Sequence, residues 1–243
     1  MTASPLAPLL ALHDVEPALT AAREAVDAAL RHRALRRSGG PLAAELGLRG
    51  AVASAALEGH PYGLDEVRDG TVTDPVVQGS LRCSAALDGL APRWITAPRQ
   101  VLARLHLLAA RDSVGDEELG RPAPGSAQRL DLLCDVISAP AGMPALLRAA
   151  VVHGELLAAR PFAGPNGVVA RAAARLTLIA DGFDPRGLVV PDLGHVTREP
   201  EYVGAANAFA TGTPDGLRSW LRHCAAAVEV AAAELTSVAD AIT

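Results

Sequence analysis

Apolar residues recur three and four positions apart along most of the chain, as in EPALTAAREAVDAALRHRAL, PRQVLARLHLLAARD, QRLDLLCDVI and MPALLRAAVVHGELLAA. That spacing gathers them on one face of an α-helix, whereas a half-buried strand would alternate them with polar residues, a pattern almost missing here. The pattern therefore predicts a mostly α protein. A last long helix is predicted over TPDGLRSWLRHCAAAVEVAAAELTSVADAI, opened by the cap-like Thr213, Pro214 and Asp215. Pro and Gly interrupt the pattern at Ser38 to Pro41, between Gly59 and Asp74, and between Gly115 and Gln128, the least helical stretch. None of these breaks is long enough to be an interdomain linker. Residues 1–50 are read as a helical extension packed on one domain that covers 51–243.

The 243 residues are 50% hydrophobic and only 3% aromatic, so one substantial core is expected and it must be aliphatic. Acidic residues number 27 against 22 basic ones, every one of them arginine, and the formal charge is -5. That balance gives no electrostatic footprint for nucleic acid. No apolar run reaches the roughly 20 residues that cross a bilayer, and the opening MTASPLAPLLALHD lacks the basic start of a secretory signal. The three cysteines, Cys83, Cys134 and Cys224, are widely spaced among apolar residues, which fits reduced packing positions. His60, His106 and His195 show no metal-ligand spacing. The expectation is a cytoplasmic protein with no membrane or nucleic-acid partner and no metal site.

Residues 153–182, HGELLAARPFAGPNGVVARAAARLTLIADG, read as two helices joined by a loop. The second helix aims its free N–H groups and positive dipole end into that loop, where Asn166 and Gly167 tolerate the backbone angles of an anion cradle. The stretch resembles the Fic (Fido) family motif HPFx(D/E)GNGRxxR. Pro161, Phe162, Asn166, Gly167 and Arg171 match it, while Arg160 stands at the histidine, Gly164 at the carboxylate, Pro165 at the first glycine and Val168 at the first arginine. Upstream, Ser54 to Gly59, SAALEG, fits the family's inhibitory motif (S/T)xxxE(G/N), and Trp220 in SWLRHC is similar to the family's closing helix.

The resemblance implies a Fic-like helical domain, with an inhibitory helix near 54–59, that in most members transfers AMP from ATP to a protein hydroxyl. It implies phosphate contacts at Phe162, Asn166, Gly167 and Arg171, and an inhibitory role for Ser54, Glu58 and Gly59, with Glu58 paired to Arg171. Arg160, at the catalytic position, cannot act as a general base because its guanidinium stays protonated. Losing that base costs typically about 100- to 10,000-fold. Gly164 removes the magnesium ligand and Pro165 deletes one N–H of the cradle. The family's β-hairpin flap falls on Gly115 to Gln128, which is short and lacks strand-like alternation, so a reduced flap is expected. These departures point to an impaired enzyme that keeps an ATP, nucleotide or phosphate site without magnesium and works by binding a protein partner. Two alternatives stay open: an active transferase with another base, such as His153, or a helical ligand-binding regulator of unrelated fold.

Overall fold

The computed structural model describes residues 5–36, 39–140 and 142–242, and it places turns at the breaks after Gly59 and after Gly115. Of the break expected at Ser38 to Pro41, Gly39 to Pro41 open a helix instead and Ser38 lies outside the described residues. Twelve α-helices are present among them: α1 (Ala7–Leu10), α2 (Val15–Leu30), α3 (Gly39–Ala56), α4 (Leu64–Arg68), α5 (Pro75–Trp94), α6 (Pro98–Ala110), α7 (Ala127–Ser138), α8 (Ala145–Ala159), α9 (Asn166–Ala180), α10 (Pro191–Thr197), α11 (Glu199–Ala210) and α12 (Pro214–Ile242). No strand occurs among the described residues. Several starts follow directly from local chemistry. The Asp74 carboxylate caps α5 by accepting from the Val76 and Val77 N–H groups at 2.8 and 3.2 Å, with Pro75 behind it. Thr213 caps α12 as expected, its hydroxyl accepting from Gly216 N–H at 3.2 Å.

The antiparallel pair α8 and α9 forms the centre, with α5 and α6 against α9 and α11 and α12 against α8. The helix α2 lies along α12, so the N-terminal segment contributes Val15, Leu19, Ala22 and Val26 to the same apolar cluster as the C-terminal helix. The helix α3 runs without interruption through residue 50 and joins that segment to the rest. Alanine lets helices approach closely, and at α10 against α12 the limit is reached: a Cβ on Gly194 would sit 2.1 Å from the Ala227 carbonyl oxygen. Both tryptophans are buried with their indole N–H satisfied, Trp94 by Thr177 Oγ1 at 3.0 Å and Trp220 by the Ala150 carbonyl at 2.7 Å. Burying each large apolar side chain of this kind stabilises the fold by about 1.5–3 kcal/mol. All three cysteines are free thiols. No helix among the described residues is long and apolar enough to cross a membrane.

Candidate functional site

The loop between α8 and α9 is built by its own side chains. Arg160 ends α8 in the left-handed conformation, φ 42°, with its side chain exposed. Asn166, 5% exposed, staples the loop from within: its Oδ1 accepts from Phe162 N–H at 3.0 Å and its Nδ2 donates to the Phe162 carbonyl at 2.6 Å and the Gly164 carbonyl at 3.2 Å. His106 on α6 clamps the outside, stacked on Phe162 with ring centroids 4.6 Å apart. Its Nε2 lies 2.7 Å from the Ala163 carbonyl and its Nδ1 accepts from Gly120 N–H at 2.9 Å, so the ring is the neutral tautomer protonated at Nε2. Burial pulls the His106 pKa down, which favours that neutral form. The stretch from Gly115 to Gln128, expected to be a reduced flap, leans on the loop through Ala123 N–H to the Pro161 carbonyl at 2.8 Å.

Beside the start of α9 stands the chain's own carboxylate, Glu58. A Cβ built on Gly167 would lie 1.9 Å from Glu58 Oε1, so only glycine leaves that space to the carboxylate. Arg171, one turn along α9, donates to the same Oε1 from Nη2 at 2.9 Å. Its other bonds are Nε to Ser54 Oγ at 2.8 Å, Nη2 to the Ser54 carbonyl at 2.8 Å and Nη1 to Tyr202 Oη at 3.1 Å. Asp192 Oδ1 lies 3.7 Å from Nε. The Arg171 side chain is 1% exposed and Glu58 is 23% exposed. Burial works against the Arg171 charge, yet Tyr202, Glu58 and Asp192 together raise its pKa above the usual arginine value. The guanidinium cross-links the end of α3 and α11 to α9.

Behind Arg171 lies a buried aromatic group drawn from four helices. Tyr202 Oη, which accepts from Arg171, is 3.0 Å from His153 Nε2. His195 Nδ1 and His223 Nε2 are 3.0 Å apart, and the rings of His153, His195, Tyr202 and Trp220 contact one another. Burial pushes the Tyr202 hydroxyl up to about 12 although Arg171 pulls it the other way. Burial also holds His153 and His195 well below the ordinary histidine value and brings His223 down to about 4. His153, the alternative base suggested by the sequence, is 2% exposed within this group.

The positions where the motif departs have acquired other surroundings. Gly164 takes φ 73°, and a Cβ there would meet Val114 Cγ1 at 2.9 Å, so a carboxylate side chain has neither the backbone nor the room. Val168 is 2% exposed and belongs to the apolar core between α9, α5 and α6. Gly59, φ 87°, makes the turn that follows α3. Tyr202, Asp192 and His106 were not singled out as site residues from the sequence; each reaches the loop or Arg171 from another helix, and no local spacing signals it. No group of three or more His, Cys, Asp or Glu side chains suited to a metal ion occurs among the described residues.

No family model matches the chain, and no curated protein matches it in sequence. Solved structures do match in shape. Residues 134–508 of Fic-1 from C. elegans superpose with a TM-score of 0.73 at 18% identity, over 98% of this chain and 76% of that one. A Fic family protein from Desulfovibrio desulfuricans G20 superposes with a TM-score of 0.72 at 21% identity, over the same shares. A regulator of unrelated helical fold is thereby ruled out. With α8, the Pro161 to Pro165 loop and α9 at its centre, the chain has the Fic (Fido) fold.

Proposed function

We propose that this chain is a Fic-fold protein that has lost AMP transfer and acts by binding, its anion cradle at α9 closed by its own Glu58. The observation that carries this reading is the Glu58 carboxylate lying over Gly167 and bonded to Arg171 at 2.9 Å. A carboxylate at a helix N-terminus meets the same dipole and N–H groups that would attract a phosphate, so the two compete for one place. The residues do not fit a magnesium-bound triphosphate. Gly164 offers no carboxylate and is closed against Val114, Val168 is a core residue, and Arg171 already donates four bonds to Ser54, Glu58 and Tyr202. Nor do they supply a base: Arg160 is exposed but cannot take a proton, and His153 is buried against Tyr202.

Calorimetry on the full chain with ATP, ADP and AMP, with and without magnesium, tests the reading. The native chain is expected to bind none of them at millimolar concentration. Glu58→Gly is expected to bind nucleotide weakly and with no dependence on magnesium. Incubation of either form with cell lysate and labelled ATP is expected to transfer no label. Magnesium-dependent turnover or labelling by either form would overturn the proposal.

A further inference from the structure

Between α2, α11 and α12 a cavity of about 560 Å³ opens. That volume lies in the range of small-molecule sites. Ala18, Gly204, Ala205 and Ala226 line it with short side chains, which leaves the backbone of a guest room to approach. Five charged side chains also line it, and three of them are already paired. Arg198 holds Glu201 at 2.6 Å, and Arg218 donates to the His13 carbonyl at 2.9 Å and lies 3.5 Å from Asp14. The other two, Arg222 and Glu229, are both exposed and make no hydrogen bond or ion pair among the described residues. They stand two turns apart on α12, which at 1.5 Å per residue puts their Cα atoms about 10 Å from each other. Side chains on a helix meet at three or four residues, so these two are not neighbours. The lining therefore carries one unmatched cation and one unmatched anion, held apart and without net charge.

We propose that this cavity binds a short peptide with free ends, its carboxylate on Arg222 and its ammonium on Glu229. A guest of one sign would leave one of the two groups unmatched, whereas a zwitterion meets both. The separation sets its length. Three extended residues span about 10 Å at roughly 3.3–3.6 Å each, the same as the distance along α12. The planar terminal carboxylate matches the fork of the Arg222 guanidinium, and the terminal ammonium donates to the Glu229 carboxylate. None of these residues bonds to Glu58 or Arg171, so the proposal is independent of the reading of α9.

The test is calorimetry on the full chain with trialanine, with N-acetyl-trialanine and trialanine amide as controls that each lack one terminal charge. Saturable trialanine binding is expected, and each control should bind about fivefold more weakly, the worth of one partly exposed ion pair. Arg222→Met should bring trialanine down to the level of the amide. Glu229→Gln should bring it down to the level of the acetylated form. Both residues are exposed, so neither substitution threatens the fold. Gly204→Phe, at a position where a Cβ would meet no atom within 4 Å, should fill the cavity and abolish binding. Absence of saturation, capped peptides that bind as tightly as trialanine, a preference for the free ends that survives both Arg222→Met and Glu229→Gln, or binding unchanged by Gly204→Phe would overturn the assignment.

Discussion

Arg171 and Arg148 are each 2% exposed and stand near the starts of the two helices that make the central hairpin. Arg171 donates four bonds to Ser54, Glu58 and Tyr202, so the guanidinium joins three helices. Arg148 holds Asp181 and one carbonyl and keeps Nε buried and unpartnered. Burial and charge are the same in both. What separates the two is how many acceptors meet the guanidinium, four bonds against two, and an unmet buried donor costs free energy.

If Arg171 is a strut, removing it should cause the largest loss in the molecule. Arg171→Met leaves Glu58, Asp192 and the Tyr202 hydroxyl without their partner, and breaking a buried pair in this way costs about 3–5 kcal/mol. Urea denaturation at pH 7 measures it. A cost below about 1 kcal/mol, the worth of an exposed ion pair, would mean that water replaces the bonds and that the contrast with Arg148 is false.

Acid should tell the two ends apart by sign. The histidines behind Arg171 have folded pKa values below their unfolded one, His223 at about 4, so the unfolded chain binds protons first. Their contribution is complete above about pH 6.5 and is lost as pH falls toward 4, with a slope of up to about 1.4 kcal/mol per pH unit for each group. Asp181 moves the other way: its folded pKa is raised, so its contribution is present at low pH and lost as pH rises through that value. Denaturation of the native chain between pH 7 and 4.5 should therefore show steep loss, and His223→Gln, which stays neutral, should flatten it. An equal slope in both would detach the histidines from the acid response.

The contrast between these ends was half legible in the sequence. The helical periodicity and the Thr213 cap depend on neighbours in the chain, and a linear pattern records them. Glu58 and Arg171 could be paired because a motif preserves their order although 113 positions separate them. His153 could be named as a possible base, but nothing comparable groups it with His195 and His223, which come from α10 and α12; only the packing of those helices against α8 brings the rings together. Arg148 was equally hidden, since an arginine in MPALLRAAVVHGELLAA reads as the polar face of an amphipathic helix. Val168 read as a missing arginine, and its packing against α5 and α6 shows what that position now supplies.

Arg148→Met should cost less than Arg171→Met, about 2–3 kcal/mol, because only Asp181, 13% exposed at its side chain, loses a charged partner. Adding Asp181→Asn should recover much of the loss, the pair being coupled and the neutral amide cheaper to bury. A double variant no more stable than Arg148→Met alone would show that the aspartate is satisfied by other groups and that the pair does not hold α8 to the end of α9.

The smallest effect concerns Glu58 and the glycine beneath it. Glu58→Ala removes one charge-assisted bond from Arg171 and leaves the Ser54 and Tyr202 bonds, so a loss of about 1–2 kcal/mol is expected at a position already 23% exposed. Gly167→Ala should act through the same contact. Its new methyl would lie 1.9 Å from Glu58 Oε1 and 2.9 Å from Arg171 Nη1, and the carboxylate, the freer of the two, must swing out to solvent. The two substitutions therefore remove one interaction between them. In a double-mutant cycle Gly167→Ala should cost about 1 kcal/mol less in the Glu58→Ala background than in the native one. Full additivity would mean that the carboxylate does not occupy the start of α9, and that the cradle there stands open.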